Sequence, residues 1–127
     1  MAIKTSSAKA KGRRLQQWVA KIISEMLNIP MGRDEMIASR EMGQSGTDVR
    51  LIGKAQTLFP FSIECKYQET WSLPSWIKQA KENEKEGTCW LLFCKKNREK
   101  PVVVMDAEKF FELYKKILKR GKNGKRD

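Results

Sequence analysis

The chain has 127 residues, enough for one domain with a single core, and carries a net charge of +11 from 26 Lys and Arg against 15 Asp and Glu. It contains no His, which argues against His-based nucleases, Ser-His hydrolases and His-ligated zinc sites and leaves carboxylate–metal chemistry as the simplest hydrolytic option. Its three Cys (Cys65, Cys89, Cys94) sit in apolar runs without C-x-x-C spacing, as expected of reduced cysteines in a cytoplasmic protein; the N-terminus lacks an apolar signal region and no run approaches membrane-spanning length.

The chain opens on a basic stretch. Lys4, Lys9, Lys11, Arg13 and Arg14, with no acid among them, give residues 1–14 a charge of +5, and residues 1–10 are expected as a flexible arm. Over residues 10–28, Leu15, Trp18, Val19, Ile22, Ile23, Met26 and Leu27 recur at spacings of three and four, which predicts an amphipathic helix closed by Pro30. Residues 31–47 are mixed, with Ile37-Ala38-Ser39-Arg40 a candidate short strand. Strands are predicted over 48–53 and 59–67, paired antiparallel through a short loop, Gly53 to Thr57. Ser72-Leu73-Pro74 has helix-start chemistry, with Ser72 the candidate cap, and a charged helical pattern over 74–86 ends at Gly87.

Thr88 to Cys94 is almost wholly apolar and predicts a buried central strand. Asn97 to Lys100 is a polar turn, Pro101 to Met105 an edge strand, and Asp106 caps a final helix to about Leu118. Lys115, Lys116, Lys119, Arg120, Lys122, Lys125 and Arg126 against Asp127 give residues 115–127 a charge of +6, so residues 15–114 are neutral overall. Residues 119–127 are expected as a second flexible tail. The basic ends read either as salt-sensitive contacts to phosphate or as solubilising tails. The order α-β-β-β-α-β-β-α predicts an α/β domain with a mixed central sheet flanked by helices.

Chemistry concentrates on the two middle strands. Phe59, Phe61, Ile63 and Cys65 alternate with Pro60, Ser62, Glu64 and Lys66, so Glu64 and Lys66 emerge on one face, their Cα atoms roughly 6.5 Å apart. Taken alone, this pair reads first as a solvated strand face with one surface ion pair. Asp48 opens the preceding strand after the flexible Gly43-Gln44-Ser45-Gly46, where the backbone allows a ligand close approach, or where Asp48 merely caps a turn. Depending on register, Asp48 and Glu64 converge. Two carboxylates and a backbone carbonyl suit Mg²⁺ or Mn²⁺, and Lys66 is placed to position a water or stabilise developing charge.

These residues resemble the PD-(D/E)XK nuclease superfamily, and within it the archaeal-type Holliday-junction resolvases and related phage-encoded nucleases. The resemblance runs through Lys11-Gly12-Arg13-Arg14-Leu15-Gln16, Ser39-Arg40, Gly43 to Leu51 and Phe59 to Lys66, and covers about residues 11–118. It implies a single-domain restriction-endonuclease-like fold over 11–118. It also implies metal binding by Asp48, Glu64 and the carbonyl of Cys65, with Lys66 as catalytic lysine. Relatives often carry a further Glu on the first helix, where this chain has Gln16; Glu41 or Glu25 would be substitutes for that acid. Gln79 resembles the auxiliary glutamine of some members or is an ordinary solvent-facing residue.

Ser39 and Arg40 would hold the scissile phosphate or pack a loop, and Lys11, Arg13 and Arg14 would contact DNA. Tyr67, Trp71 and Trp76 would stack on bases or wedge into a branched DNA, or else form a core edge or a dimer contact. The expectation is a Mg²⁺-dependent, homodimeric endonuclease acting on branched DNA such as a four-way junction. The alternatives are a nuclease of flaps, nicks or duplex, a non-catalytic DNA-binding protein with a decayed site, and an RNA-binding accessory protein.

Overall fold

The computed structural model describes residues 2–41 and 46–124, with side chains for 7–41 and 46–122. The Gly43-Gln44-Ser45 part of the expected active-site loop lies outside the described residues, as do Lys125 and Arg126.

Helix α1 (Ala2–Leu27) is longer at its start than the periodicity implies, because the Lys- and Ala-rich opening contains no Pro and only one Gly to interrupt it. The segment expected as an arm over 1–10 is therefore helical from Ala2 onward. The helix ends where Asn28 takes a φ of 57°, a conformation Asn tolerates, while Ser24 Oγ donates to the Ile29 carbonyl. Of the seven apolar positions expected on one face, Leu15, Val19 and Ile23 are buried; Trp18, Ile22 and Met26 form a parallel stripe left largely exposed.

Strands β1 (Ile37–Ser39) and β2 (Val49–Leu51) pair antiparallel, and β2 meets β3 (Phe61–Tyr67) antiparallel only at Val49 opposite Ile63. The connection expected as a loop is instead a helix of six residues, α2 (Gly53–Leu58). Gly53 starts it at a φ of 57°, and a Cβ there would lie 3.1 Å from the Met36 sulfur. The element order is thus α-β-β-α-β-α-β-β-α.

Helix α3 (Leu73–Glu82) crosses from β3 to β4 (Cys89–Lys95), which runs parallel to β3 as a helical crossover requires. Ser72 occupies the N-cap position without capping: its hydroxyl pairs with that of Ser75. The helix ends at Glu82, short of the expected 86, and Gly87 with a φ of 82° serves the turn into β4. Strand β5 (Val102–Met105) closes the sheet edge antiparallel to β4, giving a five-stranded mixed sheet in the order β1-β2-β3-β4-β5. Asp106 caps α4 (Ala107–Gly124), accepting from the Lys109 N–H at 2.9 Å, and the helix continues past the expected Leu118.

Strand alternation divides the core between the sheet's two faces. Phe61, Ile63, Cys65 and Leu91 pack with Leu15, Val19 and Ile23 of α1. Trp90, Leu92 and Cys94 pack on the other face with Trp76 and Ala80 of α3. Glu64 and Lys66 alternate with the α1-facing set, so their side chains stand on the α3 side.

Candidate active site

Sheet geometry brings the two acids together. Asp48 directly precedes β2, and its N–H donates to the Ile63 carbonyl at 2.8 Å, fixing it alongside β3. Its Oδ2 accepts the Cys65 N–H at 2.7 Å, and its Oδ1 pairs with Arg40 Nη2 at 2.7 Å. Arg40 is itself held, since Nη1 donates to the Gly46 carbonyl at 2.8 Å and its backbone N–H to the Asp48 carbonyl at 2.8 Å. A strand residue points its N–H and C=O to the same neighbour, so the Cys65 carbonyl opens toward the side that Asp48 occupies.

Glu64 is one residue along β3 and only 3% exposed; Asp48 is 4% exposed. Burial, and then the Asp48 carboxylate, push the Glu64 pKa up from 4.5 to about 7, with the Asn83 hydrogen bond, Arg40 and Lys66 opposing. Asn83 Nδ2 donates to Glu64 Oε2 at 3.0 Å. Sequence reasoning passed over Asn83, although it follows Trp76 and Ala80 on the inward side of α3 at helical spacing and so carries a readable signal. Lys66 shares the Glu64 face, and its ammonium lies 5.9 Å from the centroid of the Trp76 ring.

The donor set fits a hard divalent cation. Two buried carboxylates crowd one place at an electrostatic cost that a cation there relieves, and each oxygen keeps lone pairs beyond the hydrogen bonds it accepts. Among the described residues no group of three or more His, Cys, Asp or Glu side chains is arranged for a metal. Asp48, Glu64 and the Cys65 carbonyl are the groups here that would hold such an ion, a small set of the kind Mg²⁺ accepts while keeping several waters. Burial and the neighbouring carboxylates hold the Cys65 thiol well above its ordinary range, so only its backbone is suited to this chemistry.

The other expected residues divide. Gln16 is half-buried on α1, which packs on the opposite face from Glu64 and Lys66, and none of the described hydrogen bonds joins it to them. Glu41 pairs with Arg33 at 3.4 Å, its side chain half exposed, and is not drawn into the pair of acids; Glu25 is exposed on α1. Ser39 and Arg40 line a cleft of about 410 Å³ with Arg33, Thr47, Arg50 and Lys85. Gln79 is exposed on α3, one turn before Asn83. Arg13 and Arg14 are exposed on α1, while the Lys11 ammonium lies 5.7 Å from the Tyr67 ring centroid. Trp76 is buried in the core and Trp71 packs on it at 6.2 Å between ring centroids, so stacking on bases is not the role of Trp76.

A family model described as "Phage putative PDDEXK endonuclease" matches residues 7–126. The chain belongs to this family. Membership places it in the PD-(D/E)XK nuclease superfamily among phage-type endonucleases, and the five-stranded mixed sheet between helices is consistent with the restriction-endonuclease-like fold. Nucleases of this superfamily typically work with divalent metal ions and bind DNA. No curated protein and no solved structure matches the chain. No helix among the described residues is long and apolar enough to cross a membrane.

Proposed function

We propose that this endonuclease hydrolyses DNA phosphodiester bonds with Mg²⁺, Mn²⁺ substituting, and that its preferred substrate is branched DNA such as a four-way junction. The single observation carrying the chemistry is the buried Asp48–Glu64 pair, with Lys66 on the Glu64 face. Asp48 and Glu64 would hold the ion with the Cys65 carbonyl, and the ion would supply charge for the phosphate oxygens and a more acidic water. Lys66 orients the attacking water or meets the charge that develops as the water oxygen bonds to phosphorus and one bridging P–O bond breaks. Asn83 fixes Glu64 against rotation. Arg40 sets Asp48 and, with Arg33, Arg50 and Lys85 against Asp34 and Glu41, leaves the adjoining cleft with basic side chains in excess for phosphates.

Basic side chains over aromatic rings extend that surface beyond Lys66: Lys95 lies 5.2 Å from the Tyr67 centroid and Lys96 5.3 Å from that of Trp71. Lys9, Lys11, Arg13 and Arg14 on α1 and the basic second half of α4 add contacts that track the backbone. Two symmetric cuts in a junction need two sites, so the enzyme works as a homodimer in the cytoplasm of an infected host cell. Labelled four-way junction, flap, nicked and linear duplex DNA, incubated with enzyme and Mg²⁺, test the substrate. The junction is expected to be cut fastest; equal rates on plain duplex would reject the junction preference while leaving the chemistry intact.

A further inference from the structure

Helix α4 breaks the usual placement of apolar residues. Ala107, Phe110, Phe111, Tyr114 and Leu118 recur at three- and four-residue spacings and form one stripe. Phe110, Phe111, Tyr114 and Leu118 are 50–61% exposed, as is Ile117 beside them, while Leu113, on another side of the helix, packs toward the chain's own core. Val102 and Val103 on β5, the strand that leads into α4 and forms an open edge of the sheet, are 46% and 49% exposed. Val102 points to the other face of the sheet from Val103; an aromatic side chain presents about 150–250 Å², so the five α4 residues with Val103 leave on the order of 500 Å² uncovered. That lies at the upper end of what a monomer carries and is more than half of the ~800 Å² each partner contributes to a standard interface.

Charge indicates what covers it. The first half of α4 holds Glu108 and Glu112 with one cation, Lys109, which pairs with Glu112 at 3.4 Å; Lys115, Lys116, Lys119 and Arg120 lie in its second half with no acid among them. Two copies packed antiparallel set the acidic half of each helix along the basic half of the other, whereas a parallel pair would bring the basic halves together. A two-fold axis across the middle of the helix satisfies both copies with one patch, as closed dimers require.

We propose that the outer stripe of α4, flanked by β5, is the homodimer interface, formed by antiparallel packing of α4 on α4 of a second copy. The inference deepens the homodimer reading above and rests on it, but not on the nuclease chemistry.

Light scattering on the full chain, without DNA, at about 50 µM tests it. The wild type is expected at twice the 14.7 kDa chain mass. Phe111→Glu with Leu118→Glu is expected at the single-chain mass with its circular dichroism spectrum kept. Phe111→Gln with Leu118→Gln provides the same test if the charged pair unfolds. A folded double variant that stays dimeric overturns this surface and leaves the homodimer standing. A monomeric wild type overturns both, and a monomer that binds anionic vesicles through α4 assigns the stripe to a lipid surface instead. None of these outcomes bears on Asp48, Glu64 or Lys66.

Discussion

At the junction of β2 and β3, acidic side chains are buried: Asp48 and Glu64 are almost inaccessible and tied to Arg40, Cys65 and Asn83. On the outer side of α4, Phe110, Phe111, Tyr114 and Leu118 face solvent. The two regions invert the ordinary inside–outside rule in opposite directions, and the inversion has a different cost in each. Crowding two carboxylates away from water raises the energy of the charged state, visible in the upward shift of Glu64. Exposing apolar rings forgoes hydrophobic stabilisation without straining the fold. Neither arrangement helps a lone chain to fold, which is what the two proposals above build on: a divalent cation and phosphate at the first, a second copy at the second.

The largest effect expected is on catalysis. Asp48→Ala or Glu64→Ala should lower metal-dependent DNA cleavage by roughly 10³-fold or more, and Lys66→Ala by about 10²–10³-fold with ion binding retained. Single-turnover rates together with ion titrations check both. If the α4 double variant lost as much per assembled site, the division of labour between the two regions would be wrong.

Stability sharpens the same contrast. Leu92 is fully buried against α3, so Leu92→Ala should cost about 2–5 kcal/mol. Phe111→Ala, on the exposed stripe, should change the stability of the monomeric background by only about 0.5 kcal/mol. Urea unfolding of both in that background measures the difference; a comparable cost at Phe111 would place α4 in the core.

A pH series separates the buried charges from ordinary surface acids. Glu64 holds its proton up to about pH 7 in the folded chain, while in the unfolded chain it releases it from about 4.5. The folded state binds more protons across that window, so metal-free stability should fall as pH rises through it, by on the order of 2–3 kcal/mol. Glu64→Gln should flatten that slope in unfolding measurements from pH 4 to 8. An unchanged slope in Glu64→Gln would assign the titration to another group. A smaller effect on the site is expected at Asn83, which donates to Glu64: Asn83→Ala should weaken ion binding roughly tenfold, read by calorimetry.

Much of this was legible in the sequence because it depends on strand alternation. Period two places Glu64 and Lys66 on one face wherever the strand lies, and the apolar run from Cys89 to Cys94 could pack only as a buried strand. Antiparallel pairing of β2 with β3 was readable too. The α2 helix was not, since the six residues from Gly53 to Leu58 carry too little periodicity to distinguish a helical turn from a loop. The N-terminal extension of α1 was hidden by charge density that reads equally as an arm. On α1 the apolar positions span two stripes, and only the packed structure tells that Leu15, Val19 and Ile23 turn inward while Trp18, Ile22 and Met26 do not. The Arg40–Asp48 and Asn83–Glu64 contacts depend on tertiary register, which local patterns do not encode. For the same reason the resemblance matched Gln16 to the helix acid of relatives, whereas its helix lies on the other face of the sheet from Glu64 and Lys66.

The most direct test of the central claim is Mn²⁺ binding and DNA cleavage by the wild type beside Glu64→Gln, which keeps the shape of the side chain and removes its charge. The wild type should bind the ion and cut DNA only in its presence, and Glu64→Gln should lose both. Ion binding and cleavage in Glu64→Gln equal to those of the wild type would show that the buried pair is not the metal centre.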